Sequence, residues 1–350
     1  MSGTHRLAAR GHPLLRSMVP ILIIVIVATL SSGSLPASTS LPAELLTATQ
    51  ARAAGAVIPI TPHHEPGGTI VEVGVPAARQ VMAVSAQEQA RRDAMRLLAV
   101  GSAGSVVIRD LVDDPGSGLV VAHVDESQTK IALPGVTAAA FAANEAWLAA
   151  IDAAGRLWKV NPTDGQTSRL ADGPYLGSLS FTTNGSLLLI DVSSAEAPYL
   201  SQLVRFSPET ASSTPLMTDP GFVFSARELV DGSVAVVMHP FGGGVSLRRI
   251  SASGAAISQT PLDAKAIDVS LSDDGSSIAY AVFGDGVYLL GTGRPTRRLA
   301  DGDMPRIAPN GSSVLVLGGG GSAVVGSNGE EIARFPVGTT GWACGGRCES

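Results

Sequence analysis

Three side chains stand out for the chemistry they would do together. Asp152, Asp191 and His239 each close a strongly apolar run, LAAI, LLLI and VAVVM. Two carboxylates and one imidazole make a donor set suited to a divalent transition metal or another polar ligand. The competing reading is local: an Asp after a strand commonly starts a turn by accepting hydrogen bonds from its own backbone, and His239 precedes Pro240 as a loop residue would. Other reactive groups are sparse. His63, His64 and Glu65 lie between Pro62 and Pro66, and adjacent side chains in a loop rarely converge on one ion, so an exposed loop is expected there. Cys344 and Cys348 sit in WACGGRC. Outside the cytoplasm so close a pair can oxidise to a small ring, with Gly345 and Gly346 allowing the bend; free thiols are the alternative. No Gly-x-Ser-x-Gly nucleophile elbow occurs, and Gly318 to Gly321 lacks the Lys-Ser/Thr of a phosphate loop, so it reads as a hairpin or flexible loop.

The three candidate ligands share a rim only if the strands before them are copies of one unit. Ile267 to Leu290 shows that unit best. Ile267, Val269 and Leu271 alternate with polar residues, Asp274-Gly275 supplies a hairpin turn, Ile278 to Phe283 is apolar throughout, and Val287 to Leu290 returns after Gly284-Asp285-Gly286. Asn184-Gly185, Asp231-Gly232, Asp274-Gly275 and Asn310-Gly311 each precede such an apolar run, at intervals of 47, 43 and 36 residues. Two further units are worn, and in the first of them Gln87 to Arg96 looks like an inserted helical turn. About six units of three or four strands have the length of propeller blades. Stacking around an axis explains second strands apolar on both faces, and narrowing toward the axis explains Ala235, Ala279 and Ala281. Thr69 to Val75 is expected to close the ring beside Ala323 to Phe335. A sandwich or barrel of the same strands is the alternative. Aligned as blades, Gly101, Asp152, Asp191, His239, Phe283 and Gly318 close the second strands along one rim.

The chain has 350 residues, 45% of them apolar, and a net charge of −6. A large core is therefore available, and the basic footprint of a nucleic-acid binder is missing. The pairs Arg91-Arg92, Arg248-Arg249 and Arg297-Arg298 are scattered, as expected for solvated strand edges. At the amino end, Arg6, Arg10 and Arg16 precede the uncharged run Met18 to Leu30. This reads as a signal anchor or a cleaved signal peptide, with the amino end cytoplasmic and the remainder exported. The expected layout is 1–30 basic segment and apolar helix, 31–66 linker (with a helical stretch at 45–56), 67–337 propeller, and 338–350 tail with the Cys344/Cys348 pair.

The unit LSDDGSSIAYA at 271–281 resembles the WD-related repeat of TolB-type propellers, in which a Ser-Pro-Asp-Gly turn precedes a buried strand; here Asp273 stands in the proline position. The Arg-Leu-Ala-Asp-Gly turns at 169–173 and 298–302 resemble the links between such blades. The resemblance spans 81–335 and is clear in three or four blades. It implies an exported all-β propeller that binds proteins. The expectation is a non-enzymatic binding or scaffold module, membrane-tethered through 18–30 or secreted, that holds a protein or glycan at the cell surface. It would bind no nucleic acid and need no cofactor. Two rivals are a metal-assisted hydrolase or lyase using Asp152, Asp191 and His239 with a divalent metal, and an envelope-assembly or signalling subunit whose 18–30 helix contacts other membrane proteins.

Overall fold

The computed structural model describes residues 60–65, 68–73, 97–109, 118–125, 127–192, 200–217, 221–318, 321–335 and 339–342. All belong to the larger of two units into which the chain divides, 50–350. The apolar run 18–30, the helical stretches expected at 45–56 and 87–96, and Cys344 and Cys348 lie outside the described residues. Among the described residues, every regular element is a β-strand and no helix is long and apolar enough to cross a membrane.

The strands form six four-stranded antiparallel meanders and one three-stranded sheet. In chain order the meanders begin with the inner strands Leu97–Val100, Ala138–Phe141, Tyr175–Phe181, Gly221–Glu228, Ala266–Leu271 and Asp303–Ile307. These six sheets are the first to sixth blades. The seventh is built from both ends of the described chain: Gly68–Val73 pairs with Ile60–Glu65 on one side and Thr339–Trp342 on the other. The number of blades is thus seven rather than about six. Closure also differs from expectation, because Gly68–Val73 adds to no strand of the sixth blade, which is complete with Glu331–Phe335.

Why the second strands are apolar on both faces is visible in the third blade. Leu187 and Leu189 pack toward the second blade, while Leu188 and Ile190 pack toward the fourth. Each of seven hydrophobic clusters fills one seam between neighbouring blades, and the last joins Val71 and Val73 of the seventh blade to Val106 and Ile108 of the first. A blade taken alone would expose one cluster on each face, so the ring is the smallest unit that hides them. Polar residues on these faces are buried too and bond across the seams. Ser180 Oγ donates to Ala226 O at 2.8 Å, and Ser270 Oγ accepts from the Ile307 amide at 3.1 Å.

The a-to-b hairpins (those joining each inner strand to the second) are one turn repeated. Asn144, Asn184, Asp231, Asp274 and Asn310 each accept the amide of the residue two places on. The following residue has positive φ: Gly185, Gly232, Gly275 and Gly311 at 68–81°, and Glu145 at 53°. Glu145 therefore fills a glycine position. Its carboxylate accepts the Ala103 amide of the first blade at 2.6 Å.

Three local expectations change. His63, His64 and Glu65 lie on the strand Ile60–Glu65 and not in a loop. It is the edge of its sheet, where Pro62 is tolerated because no partner needs its missing N–H. Arg248 and Arg249 sit on Ser246–Ile250, an interior strand paired on both sides, so they are no edge charges. Gly101 follows an inner strand, which puts it on the hairpin rim, opposite the other five aligned residues.

Candidate functional site at the channel mouth

The rim where inner strands begin and second strands end is fixed by register. Ala138 faces Ile151, Tyr175 faces Asp191, Phe222 faces His239, Ala266 faces Val282 and Asp303 faces Leu317. Asp152, Asp191, His239, Phe283 and Gly318 therefore do share a rim, on consecutive blades. Sharing a rim does not make them converge. Among the described residues, no three His, Cys, Asp or Glu side chains are grouped so as to hold a metal ion.

Asp152 has the more local role. The residue is 3% exposed. Oδ1 accepts the Ala154 and Arg156 amides at 2.9 and 3.0 Å, while Oδ2 accepts Arg156 Nε at 2.7 Å and Trp158 Nε1 at 2.9 Å. Burial by itself would raise this carboxyl. The bonds from the Arg156 amide, the Trp158 indole and the Arg156 guanidinium outweigh it and hold the group below the usual carboxylate range. Four donors occupy its lone pairs, so no direction is left for a ligand. Asp191 is half-buried at the end of its strand, paired with Tyr175 and Gln202, and His239 is exposed. The donor set as a whole does not fit a metal centre.

What the rim presents instead is apolar. Leu176, Phe224, Phe241 and Phe283 are exposed, Phe241 to 66% and Phe283 to 73%. They come from the third, fourth and fifth blades. The Phe222 and Phe224 rings meet edge to face at 5.1 Å. Sequence reasoning placed Phe283 on this rim but gave it no role. A bulky apolar residue just after a buried strand looks like the strand's last core residue, and nothing in the alternation says otherwise.

Five of the six inner strands also carry a register shift close to the mouth: between Leu97 and Ala99, Leu176 and Leu179, Val223 and Ser225, Ile267 and Val269, and Asp303 and Arg306. Extra residues in one strand bend it and re-aim a side chain. The shifted residues include Gly177, Asp268 and Met304, with φ of 61°, 47° and 46°. The alternation of Ile267, Val269 and Leu271 with polar neighbours hides this bulge, since Asp268 reads as an ordinary outward residue. A cavity of about 490 Å³ opens among these strands, lined by Thr137, Ser178, Phe224, Asp268 and Arg306 together with aliphatic side chains.

No protein-family model and no curated protein matches the sequence. Solved structures do. TolB from Acinetobacter baumannii is 18% identical, with 89% of each chain covered and a TM-score of 0.52. An oligogalacturonate lyase in complex with manganese is 12% identical, covering 80% of this chain and 85% of its own, with a TM-score of 0.51. At these identities the likeness is one of fold: the chain is a β-propeller similar to that of TolB, as the repeat at 271–281 implied.

Proposed function

We propose that the protein is a non-enzymatic binding propeller, exported and tethered by its amino end, that holds a protein at the cell surface against the channel-mouth rim. One observation carries the reading: Leu176, Phe224, Phe241 and Phe283 stand exposed on the same rim of three consecutive blades. Large apolar side chains, aromatic ones above all, exposed together on one face are those that anchor protein interfaces. The export and tether rest on the basic segment and apolar run 1–30, and a secreted form follows if that segment is cleaved. A glycan partner is the alternative occupant of the same surface.

The tagged full chain, added to intact cells, tests this. Phe241→Ser combined with Phe283→Ser is expected to abolish binding. Ile257→Ser, which removes an exposed apolar side chain from the outer strand Ala256–Pro261, is expected to leave it intact. Unchanged binding of the rim double variant would overturn the reading. Loss of binding after glycosidase treatment of the cells would move the partner from protein to glycan.

The rival, a metal-assisted hydrolase or lyase, would need Asp152 to release its four donors. Calorimetry with calcium, zinc or manganese separates the two: tight binding lost in Asp191→Ala supports the enzyme, and absence of binding supports the scaffold.

A further inference from the structure

Within the channel mouth, two opposite charges line one cavity without satisfying each other. Asp268, on the inner strand of the fifth blade, and Arg306, on that of the sixth, both border it. The Asp268 carboxylate makes no hydrogen bond or ion pair with a described residue. Arg306 directs Nη1 to the carbonyl of its own neighbour Pro305 at 3.0 Å and pairs with no described carboxylate. Surface charges are often unpaired. Here, however, a backbone distortion brings the acid to this place: Asp268 is the extra residue of a bulge and holds φ at 47°. That region costs a residue with a Cβ about 1 kcal/mol or more, and such outliers concentrate where a site requires them. In the third blade the equivalent bulge is Gly177, which meets no such penalty. The fifth blade keeps the carboxylate in spite of it.

The rest of the lining is largely apolar, with Phe224, Val237 and Ile267 among its residues, and carries the hydroxyls of Thr137, Ser178 and Ser225. A ligand carrying only a cation would bring it toward Arg306, and one carrying only an anion would bring it toward Asp268. Only a molecule with both charges leaves neither unmatched. We propose that this cavity binds a zwitterion with an apolar body, an amino acid or short peptide with free termini. Its ammonium group lies on Asp268 and its carboxylate on Arg306, whose planar fork matches a carboxylate. The volume lies within the range of small-molecule sites, roughly 300–1,000 Å³. The cavity shares Phe224 with the exposed rim, while Leu176, Phe241 and Phe283 do not line it; the zwitterion reading rests on the two charges and not on the partner the rim holds.

Calorimetry on the full chain tests it with three probes: L-leucine, trileucine, and N-acetyl-leucinamide, which has the same apolar body and neither charge. One of the two zwitterions is expected to bind saturably, and which one does distinguishes amino acid from peptide. The blocked probe should bind at least about tenfold more weakly, and Asp268→Asn and Arg306→Gln should each cost about tenfold. Asn tolerates left-handed φ, so the first variant keeps the bulge. If its melting temperature nevertheless falls, Arg306→Gln decides. Ile257→Ser, on the outer strand Ala256–Pro261, should leave binding unchanged. The proposal is overturned if neither zwitterion binds up to about 10 mM, if the blocked probe binds equally well, or if both charge variants bind like the parent.

Discussion

Arg227 and Asp273 meet across the seam between the fourth and fifth blades, with Arg227 Nη2 2.5 Å from Asp273 Oδ1. The Arg227 side chain is 3% exposed, and its Nη1 donates to Leu271 O at 2.5 Å. Glu228, the next residue, points the other way and accepts the Thr183 amide of the third blade at 2.5 Å. One strand thus fastens its blade to both neighbours through consecutive side chains, as the two-residue period requires. The Asp273 backbone continues the link: its carbonyl accepts the Val230 amide at 3.0 Å, and its own N–H donates to Pro309 O at 2.8 Å. The proline expected at position 273 by resemblance appears one blade later as Pro309, where no such amide is needed.

Asp273→Ala should therefore destabilise the propeller by about 3–5 kcal/mol, because it leaves a buried guanidinium without its counter-charge. Asp273→Pro, the change that would restore the repeat pattern, should be no better, since it removes the amide bonded to Pro309 as well. Arg227→Met combined with Asp273→Ala should recover much of the loss. Urea unfolding of the four proteins reads this, and a stabilised Asp273→Pro would refute the linkage.

Asp152 gives a pH-dependent counterpart. Its folded carboxyl is held below its unfolded value. It therefore contributes stability above the unfolded pKa, about 4, and that contribution is lost as pH falls through the lower folded value. Asp152→Asn should flatten the acid limb of the stability curve in this range. At pH 7, Asp152→Ala should cost about 2–4 kcal/mol by stranding several buried donors. Melting temperatures from pH 2 to pH 7, parent against variant, test both statements.

Glu145 separates strain from bonding. Glu145→Ala keeps the positive φ and loses the acceptor for the Ala103 amide, so it should destabilise by about 1–2 kcal/mol. Glu145→Gly loses the same bond but relieves the backbone, and should lie about 1 kcal/mol above the alanine variant. Equal stabilities for the two would mean that the turn carries no strain.

Ring closure rests on Trp342. It packs with Ile70, Ala308 and Phe335, and its Nε1 donates to Arg306 O at 2.8 Å. Trp342→Ala should cost about 3–5 kcal/mol. Hydrogen exchange should quicken first in Ile60–Glu65 and Gly68–Val73, the strands of the same blade. Uniform quickening around the ring would contradict a local closure.

Much of this was legible in the sequence, for identifiable reasons. Asn184-Gly185, Asp231-Gly232, Asp274-Gly275 and Asn310-Gly311 mark four hairpins because most residues avoid positive φ, so the turn leaves a written trace. The second blade was worn because Glu145 replaces that glycine and is held in place by a carboxylate bond no local pattern encodes. The seventh blade escaped detection for a topological reason: its strands lie at opposite ends of the described chain, so no repeat interval spans them, and Pro62 disguises one. The rim of Asp152, Asp191 and His239 follows from strand alignment and was found. The turn that consumes Asp152 is one of the two roles that an Asp at the end of a strand admits. The Asp268 bulge, by contrast, produces the same alternating pattern as a regular strand.

The proposed function requires the mouth rim to be the face that meets a partner. A photo-crosslinking amino acid placed at Phe283 on that rim, and separately at Asn184 on the hairpin rim, compares the two faces in living cells. One discrete protein adduct is expected from position 283, diminished by Phe224→Ala, and none from position 184. An adduct from position 184 alone, or none from either position, would contradict it.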